Sequence, residues 1–357
     1  MDDLDLAPPP KPILRYPFEG PPASGQSMEV APGVRWIRMH LPYALDHINV
    51  WALEDGKSWA IVDTGVRTER TVATWRELFE RSSDPRPIRR VFVTHMHPDH
   101  VGMAGWFARR PNTEVWMTRL EYLSCRAAVS DSGREAPRVA LDFYRAAGWS
   151  EAALESYRAR FGNFGTHIHA LPDSYCRLRD GQELRIGGRL WRVVTGNGHS
   201  PEHACLYCPE LRLFISGDQV LPRISSNVSV YPTEPAANPL ADWLASLRKL
   251  REQVPDDVLV LPAHNECFHG LHARLDYLER SQLRVLQRLE RALAEPRRVI
   301  DVFPTLFNRA IGEPDMTQLG LATGEAIACL NYLAFEGRVR READGHGVVW
   351  YKRTRNS

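Results

Sequence analysis

The chain has 357 residues, 43% of them hydrophobic, and its 45 basic and 44 acidic residues give a formal net charge of +1. This length predicts one large domain with an appendage, and the near-neutral charge argues against a general attraction to nucleic acid or to anionic membranes. No run of about 18 apolar residues is present, so no segment is expected to span a bilayer. The acidic N-terminus lacks the apolar stretch of a secretory signal, and six scattered cysteines fit a reducing, cytoplasmic environment.

Residues 1–28 carry a Pro-Pro-Pro run and few periodic apolar positions, which predicts an extended N-terminal arm. Residues 29–295 combine short apolar runs, turn signals and helical patterns, and they form the predicted main domain. Its predicted elements include a strand at Ser58–Val62, a first helix near Thr68–Arg81 and a long helix at roughly His269–Ala294. Within this domain, residues 118–164 are charged and helical in pattern. An insertion of this length is expected to cover a site, as a lid that shapes the pocket, or to build an interface.

Residues 296–357 form a predicted second module. The segment Thr317–Glu336 has a helical pattern, and two strand-like runs follow it around the turn Asp344-Gly345. Helices followed by a β-hairpin are typical of a winged-helix domain. The module is only mildly basic, so we expect it to pack or to mediate homodimerisation rather than to bind nucleic acid.

The motif Thr94-His95-Met96-His97-Pro98-Asp99-His100 places three imidazoles and a carboxylate directly after the apolar run Val91–Val93. A strand followed by a tight loop can direct these side chains towards one point. Neutral imidazole and carboxylate oxygen suit a borderline cation such as zinc. A chance cluster of surface histidines would not be expected to end a strand with an acidic residue built in. The motif therefore predicts a metal site.

Other residues of metal-ligand type also follow apolar strand runs. They are Asp63, His199, Asp218 and His264. A rigid sheet can hold such loop residues in a fixed geometry, and five strand ends that all carry ligand types are difficult to explain as structural coincidence. We therefore expect these positions and the histidine motif to form one metal-dependent catalytic site.

With these motifs together, the sequence resembles the metallo-β-lactamase superfamily over roughly residues 29–295. The matching motifs are Asp63 in Val62-Asp63-Thr64-Gly65, the H-x-H-x-D-H run, His199 in Gly198-His199-Ser200, Asp218 in Ser216-Gly217-Asp218, and His264. The resemblance implies an α/β fold, an αββα sandwich with a dinuclear metal site at one edge of two sheets. It implies that His95, His97 and His199 hold one ion, that Asp99, His100 and His264 hold the other, and that Asp218 bridges them.

The resemblance also implies the cofactors and the chemistry. The cofactors are two divalent metal ions, with zinc expected and iron or manganese as alternatives. Two such ions about 3.5–4 Å apart can share a bridging hydroxide and polarise a carbonyl or phosphoryl oxygen. Asp99 and Asp63 are the catalytic candidates, because Asp99 supplies a carboxylate for the second ion and Asp63 would accept a hydrogen bond from a ligand imidazole.

The chain lacks a cysteine ligand and so looks more like glyoxalase II and its relatives than like the antibiotic-degrading enzymes. Its C-terminal module resembles that of the lactamase beta-2-like group. We therefore expect a hydrolase of a small-molecule acyl thioester or lactone. The alternatives are a single-strand endoribonuclease, a β-lactamase-like amide hydrolase, and a non-enzymatic metal-binding protein on the same scaffold.

Other side chains near these motifs carry separate expectations. His47, Arg223 and Asn227 are candidate substrate contacts, with a pocket rim or a solvated loop as the alternative placement. His203 comes four residues after His199 on a segment that leads into a strand, so it is expected to point away from the metals. Cys205 and Cys208 form a lone C-x-x-C in an apolar run, where buried side chains are expected rather than a metal site.

Overall fold

The computed structural model describes residues 10–79, 85–307 and 310–354. Residues 1–9 of the predicted arm at 1–28 and the predicted end of the first helix at 80–81 lie outside the described residues. Two β-sheets pack face to face, and helices cover both outer faces. The prediction of an α/β fold built as an αββα sandwich is therefore confirmed.

The first sheet has seven strands, which pair in the order in which they occur in the chain. They are β1 Ser27–Ala31, β2 Val34–His40, β3 His47–Asp55, β4 Ser58–Val62, β5 Ile88–Phe92, β6 Glu114–Met117 and β7 Cys176–Arg177. Strands β1 to β4 are antiparallel neighbours, and β4 to β7 run parallel. Helices on one face and a second sheet on the other bury the central strands on both sides, which favours their valine, isoleucine and tryptophan residues.

The second sheet has five strands. They are β8 Glu183–Ile186, β9 Arg189–Gly196, β10 His203–Cys208, β11 Leu213–Gly217 and β12 Leu259–Pro262. The first four form antiparallel hairpins, whereas β12 joins β11 in parallel. Cys205 packs on the outer face of this sheet and Cys208 on its inner face, because residues three apart on a strand point to opposite sides. Both are buried and unpaired, as expected.

The described residues contain ten α-helices and two short 3-10 helices. They are α1 Glu69–Phe79, α2 Pro98–Val101, α3 Ala104–Ala108, α4 Arg119–Ser130, α5 Arg138–Ala146, α6 Glu151–Arg160, α7 Pro239–Gln253, α8 Leu271–Ala292, α9 Phe303–Leu306 and α10 Met316–Phe335, with 3-10 turns at Asn163–His167 and Ile300–Val302. Within the described chain, no helix combines the length and the apolar character needed to cross a bilayer.

The layer between the two sheets is strongly aromatic. Trp36 and Trp51 from the first sheet and Trp191 from the second are at most 1% exposed. Each fully buried large side chain contributes roughly 1.5–3 kcal/mol to folding. Because this layer is apolar and close-packed, polar side chains are confined to the strand ends, where the loops emerge.

The predicted insertion contains α4, α5 and α6, and its two parts pack differently. Helix α4 places Tyr122 and Cys125 in the core outside the first sheet. Helices α5 and α6 belong to the core outside the second sheet, where the indole Nε1 of Trp149 donates a hydrogen bond of 2.9 Å to Oγ1 of Thr323 in α10. The second part therefore builds an interface with the C-terminal region.

The C-terminal region contains α9, α10 and a two-stranded antiparallel sheet of β13 Val339–Ala343 and β14 Val349–Arg353. The N–H of Arg353 donates to the carbonyl of Leu293, and Arg338 forms an ion pair with Glu290 of α8. These contacts join the region to the main body. Its description as a winged helix, the predicted domain boundaries and the predicted homodimer stay predictions.

Candidate metal centre

The residues of ligand type lie where loops leave the two sheets. Asp63 directly follows β4, Asp218 directly follows β11, and His264 comes two residues after β12. The prediction of a tight loop for the whole histidine motif was wrong in one part, since Asp99 and His100 lie in the first turn of α2. Pro98 starts this short helix, where the N–H that proline lacks would have no intrahelical partner.

The imidazoles of His95, His97 and His199 form one compact group. Nε2 of His95 lies 2.8 Å from Nδ1 of His97 and 3.2 Å from Nε2 of His199. All three nitrogens face one another within 4.8 Å, so one cation could be held by the group. Neutral imidazoles in this number suit zinc or another borderline divalent ion.

Asp99, His100 and His264 form a second group beside the first. Oδ2 of Asp99 lies 3.7 Å from Nε2 of His100 and 3.4 Å from Nε2 of His264. Asp218 stands between the groups, because its carboxylate oxygens lie 3.3–3.5 Å from Nε2 of His199, His100 and His264. The arrangement brings one carboxylate within reach of both candidate ions.

The donor set fits divalent cations on two further observations. Among the described residues, Nε2 of His100 and Oδ1 of Asp218 are buried atoms without a hydrogen-bond partner. An unpaired buried polar atom is costly, and a bound cation would satisfy both. The outward nitrogens are also oriented by partners: Nδ1 of His199 donates to the carbonyl of Asn227 at 2.7 Å, and Nδ1 of His264 donates to the carbonyl of His47 at 2.8 Å. Each Nε2 is thereby the nitrogen that faces the candidate ions.

The electrostatics of the two groups differ. Burial, reinforced by the neighbouring imidazoles, lowers the pKa of His97 to about 3 and that of His95 well below its usual value. Burial also acts against the charged form of His264, but the hydrogen bonds and charges of Asp218 and Asp99 outweigh it and raise its pKa to about 10. Without metal, the lowered pKa values favour neutral imidazoles at His95 and His97, whereas the raised pKa favours the protonated form of His264.

Asp63 supports the second group from behind. Its carboxylate accepts hydrogen bonds from Nδ1 of His100 at 2.7 Å and from the N–H of Thr94 at 2.8 Å, and the residue is 1% exposed. Its backbone has a φ of 62°, which is uncommon for a residue other than glycine and is tolerated best by Asp and Asn. The strained turn and the two hydrogen bonds together fix the orientation of the His100 ring.

Glycines precede two of the ligand-type residues because their surroundings leave no space for a side chain. Gly198 has a φ of 102°, and a Cβ there would lie 2.4 Å from the side chain of Trp243. Gly217 has a φ of 51°, and a Cβ there would lie 2.5 Å from the ring of His203. Larger residues at these positions would displace His199 and Asp218 respectively.

His203 does not point away from the cluster, and that prediction was wrong. Its ring stacks on His95 with centroids 4.8 Å apart, and its Nε2 accepts a hydrogen bond of 3.1 Å from the N–H of Asp218. Strand β10 is the immediate neighbour of β11, so its first residue lies beside the loop that carries Asp218. His203 belongs to neither group of candidate ligands but packs directly behind them.

Two of the candidate substrate residues have contacts that position ligands instead. Nε2 of His47 accepts a hydrogen bond of 3.0 Å from the N–H of Asn265, in addition to the bond from His264 to its carbonyl. The side-chain amide of Asn227 donates to Glu325 of α10 at 2.9 Å. These contacts hold the loops of His264 and His199, and a direct contact of either residue with substrate stays a prediction.

A cavity of about 580 Å³ lies between α8, α10 and the loop that follows Asp218. The loop is anchored to the centre at both ends, because the hydroxyl of Ser226 donates to the carbonyl of Asp218 and Asn227 accepts from His199. Between these anchors Arg223 and Ile224 face the cavity. Its further walls include Leu278, Val285, Phe307 and Cys329.

Two residues near the centre were missed by sequence reasoning. Glu121 of α4 is 0% exposed and bonds to the loops of the histidine motif and of His199. It shares a helix face with Cys125, four positions on, but the neighbouring leucines of α4 are exposed and obscure that pattern. Tyr43 lies close enough to Asp99 for the charge of that carboxylate, together with burial of the phenol, to raise the pKa of Tyr43. An exposed tyrosine in a loop has no sequence signature of its own.

The family can be stated from sequence models. The model for the "Metallo-beta-lactamase superfamily" matches residues 43–264, and the model for the "Metallo-beta-lactamase-like, C-terminal domain" matches residues 286–354. The chain belongs to the metallo-beta-lactamase superfamily and carries the C-terminal domain associated with it. It is a metallo-hydrolase of that superfamily, and its finer branch within it stays a prediction.

Similar proteins span most of the chain. A crystal structure of a "Beta-lactamase domain protein" from Burkholderia ambifaria aligns with a TM-score of 0.87 and 41% identity, covering 96% of this chain and 98% of the other. The "Probable metallo-hydrolase YqjP" of Bacillus subtilis is 24% identical over 324 residues, 88% of this chain and 96% of its own length. The "Acyl-coenzyme A thioesterase MBLAC2" of Gallus gallus is 25% identical over 243 residues, which are 66% and 79% of the two chains.

Proposed function

We propose that this chain is a dinuclear, zinc-dependent hydrolase of acyl thioesters. The observation that carries the proposal is the pair of ligand groups that share Asp218. The group His95, His97 and His199 and the group Asp99, His100 and His264 supply the right donor atoms for two divalent ions. Each group also has buried partners that orient its imidazoles, which supports a built metal centre over a chance cluster.

The side chains divide the work between holding ions and orienting ligands. Bound divalent cations would supply an acidified water and a polarised carbonyl oxygen. Asp99 is assigned to the second ion, and its side chain, 18% exposed, is the more accessible of the two carboxylates in the centre. Asp63 holds His100 in the tautomer that presents Nε2, so its catalytic role is one of positioning.

The substrate class follows from a relative and from the cavity. The chicken relative carries the name of an acyl-coenzyme A thioesterase. The cavity beside the loop of residues 218–227 has the volume of a small-molecule site, and Ile224, Leu278 and Val285 give it apolar walls. We assign the acyl chain of the thioester to this cavity, with the carbonyl carbon at the metal centre. Lactones share the electrophilic carbonyl and are the second substrate class to test.

The test is a substrate panel with the metal content controlled. The protein is stripped with a chelator, reconstituted with zinc, manganese or iron, and assayed on acyl-coenzyme A esters, lactones, a β-lactam and a single-stranded RNA. We expect thiol release from the thioesters only after metal is restored, and no recovery for His97→Ala. The exposed variant Leu123→Ala should behave like the unmodified protein.

Two results would contradict the proposal. Full thioester hydrolysis after exhaustive chelation would rule out the metal centre as the catalyst. Faster cleavage of RNA than of any thioester, with binding that weakens steeply as salt rises, would replace the substrate class by a nucleic acid.

A further inference from the structure

Glu121 lies in the predicted insertion, on the first turn of α4, and its carboxylate is completely buried. One oxygen, Oε2, accepts a hydrogen bond of 2.8 Å from the N–H of Met96, the residue between His95 and His97. The other oxygen, Oε1, accepts a hydrogen bond of 2.8 Å from the N–H of Glu202, three residues after His199. One carboxylate therefore links two loops that are far apart in the chain.

Further hydrogen bonds around Glu121 join the start of α4 to the segment that follows His199. The hydroxyl of Thr118 donates to the carbonyl of Glu202 at 2.7 Å, and the N–H of Leu120 donates to the carboxylate of Glu202 at 2.9 Å. These two hydrogen bonds hold the start of α4 against the loop that follows His199. Glu121 is the member of this network that also reaches the histidine motif.

Filling space in the core does not explain a buried carboxylate at this position. Burying an ionised group is expensive, and an apolar side chain would fill the space of a core helix at lower cost. A carboxylate with two separate acceptor oxygens can instead hold two backbone N–H groups at a fixed distance from each other. Those two N–H groups belong to the loops whose imidazoles meet at 3.2 Å between His95 and His199.

The second group of ligands has different supports. His100 is held by Asp63, and His264 is held by the carbonyl of His47. No hydrogen bond between Glu121 and either of these residues occurs among the described residues. The two positions share one support, because the hydroxyl of Thr94 donates to Asp63 and lies 3.0 Å from Nδ1 of His95 and 3.3 Å from Nδ1 of His100. The two hydrogen bonds of Glu121, by contrast, go to the segments that carry His95, His97 and His199.

We propose that Glu121 is a positioning residue that sets the spacing of His95, His97 and His199, so that the insertion controls how tightly the three-histidine position holds its ion. The inference rests on the proposed metal centre and goes beyond it. Loss of a partner outside the ligand set typically costs about 10–100-fold in metal affinity. We expect a loss of that size at the three-histidine position, with the other position changed less than about threefold.

The experiment isolates one position at a time. Zinc affinity is measured by chelator competition on the full chain in two backgrounds: His264→Ala, which leaves the three-histidine group intact, and His97→Ala, which leaves the second group. In each background Glu121 is replaced by Gln, which keeps the size but only one acceptor oxygen. Leu123→Ala, an exposed residue of the same helix, is the control.

The expected result is a drop of about 10–100-fold for Glu121→Gln in the first background only. Asp63→Asn should give the larger loss in the second background, because Asp63 accepts directly from His100 and reaches His95 only through the hydroxyl of Thr94. Circular dichroism and thermal unfolding of the metal-free proteins show whether each variant is folded, and Glu121→Asp, which retains both acceptor oxygens on a shorter side chain, replaces Gln if the latter is not.

An equal loss in both backgrounds, or a lower melting temperature with both affinities unchanged, would overturn the inference and leave Glu121 with a structural role only. If the unmodified chain binds no zinc, the proposed function itself fails. If it binds two ions and Glu121→Gln has no effect on either, only the present inference fails.

Discussion

The two halves of the candidate metal centre are built from similar residues but differ in the charge that they carry before any ion binds. In the three-histidine half, burial and neighbouring imidazoles lower the pKa values of His95 and His97, which favours their neutral forms. In the second half the carboxylates outweigh burial, so that the pKa of His264 rises to about 10 and that of His100 rises well above its usual value. The lowered pKa values of His95 and His97 favour the form that binds a cation, whereas the raised pKa of His264 means that a cation there competes with a proton.

This difference shows how one short segment, residues 95–100, can supply ligands to two ions that bind under different conditions. A ligand must be deprotonated before it binds a metal, so an ion entering the second half has to displace protons. An ion entering the first half meets His95 and His97, whose lowered pKa values favour the neutral form. The chain therefore separates the two positions by placing both Asp99 and Asp218 against His264 and only Asp218 against His199.

Asp218 contacts both halves, so Asp218→Asn should weaken metal binding in both of them. Loss of a residue that only orients a metal ligand typically costs up to roughly 100-fold. Because Asp218 is itself a proposed ligand, we expect thioester turnover of Asp218→Asn to fall by more than that. Metal content after dialysis should also fall below that of the Leu123→Ala control. Two retained ions together with turnover within tenfold of the unmodified protein would show that Asp218 is not shared between the ions.

Proton release on metal binding tests the difference in charge directly. The raised pKa of His264, about 10, favours its protonated form at pH 7, and the pKa of His100 is shifted in the same direction. Binding in the second half should therefore release protons, and its affinity should rise with pH by roughly tenfold per unit for each proton displaced. The lowered pKa values of His95 and His97 predict a weaker dependence on pH for the three-histidine half. Zinc calorimetry in two buffers of different ionisation enthalpy, on His97→Ala and His264→Ala as single-position proteins, separates the halves by position. The His264→Ala protein reports on the three-histidine half and should release fewer protons per zinc ion than His97→Ala, which reports on the second half. Part of this difference arises because His264→Ala lacks one titrating group. Equal proton release from the two proteins would contradict the proposed difference in charge between the halves.

The cavity lies beside the loop that connects the two halves, and filling it should alter substrate choice rather than metal binding. Val285→Trp should lower kcat/KM for a long-chain acyl-coenzyme A by roughly tenfold, with acetyl-coenzyme A changed less than about twofold. The exposed Arg288→Ala on the same helix is the matched control. An equal loss for both chain lengths would place the acyl chain elsewhere.

The smallest effect is expected from the ion pair that joins the outer loops of the second half. Arg223 and Glu266 meet at 2.8 Å, but their side chains are 55% and 33% exposed. Solvent screens such a pair, so Arg223→Ala should change the free energy of unfolding by only about 0.2–1 kcal/mol. Urea unfolding of Arg223→Ala, Glu266→Gln and the double variant measures the pair, and a larger coupling would mean that this contact shapes the site.

The motifs at the strand ends were sufficient for the fold class, through the resemblance to the superfamily, and local sequence patterns were sufficient for most elements. The alternation of apolar runs and turns predicted a strand at Ser58–Val62, where β4 lies, and leucine spacing predicted a helix at His269–Ala294, where α8 spans Leu271–Ala292. These predictions succeed because periodic burial leaves its pattern in adjacent residues. The same is true of the metal-binding residue types, since imidazole and carboxylate are recognisable wherever the chain places them.

Only the tertiary structure decided which groups stand behind those residues. Glu121 meets Met96 and Glu202 across 25 and 81 positions of sequence, and His203 turned towards the cluster because β10 lies beside β11. His199 and His264 are oriented by backbone carbonyls, and every residue has such a carbonyl, so no side-chain pattern marks the partner. The sequence by itself determined the chemistry of the donor atoms; their spacing, their protonation and their supports depend on distances that only the folded chain defines.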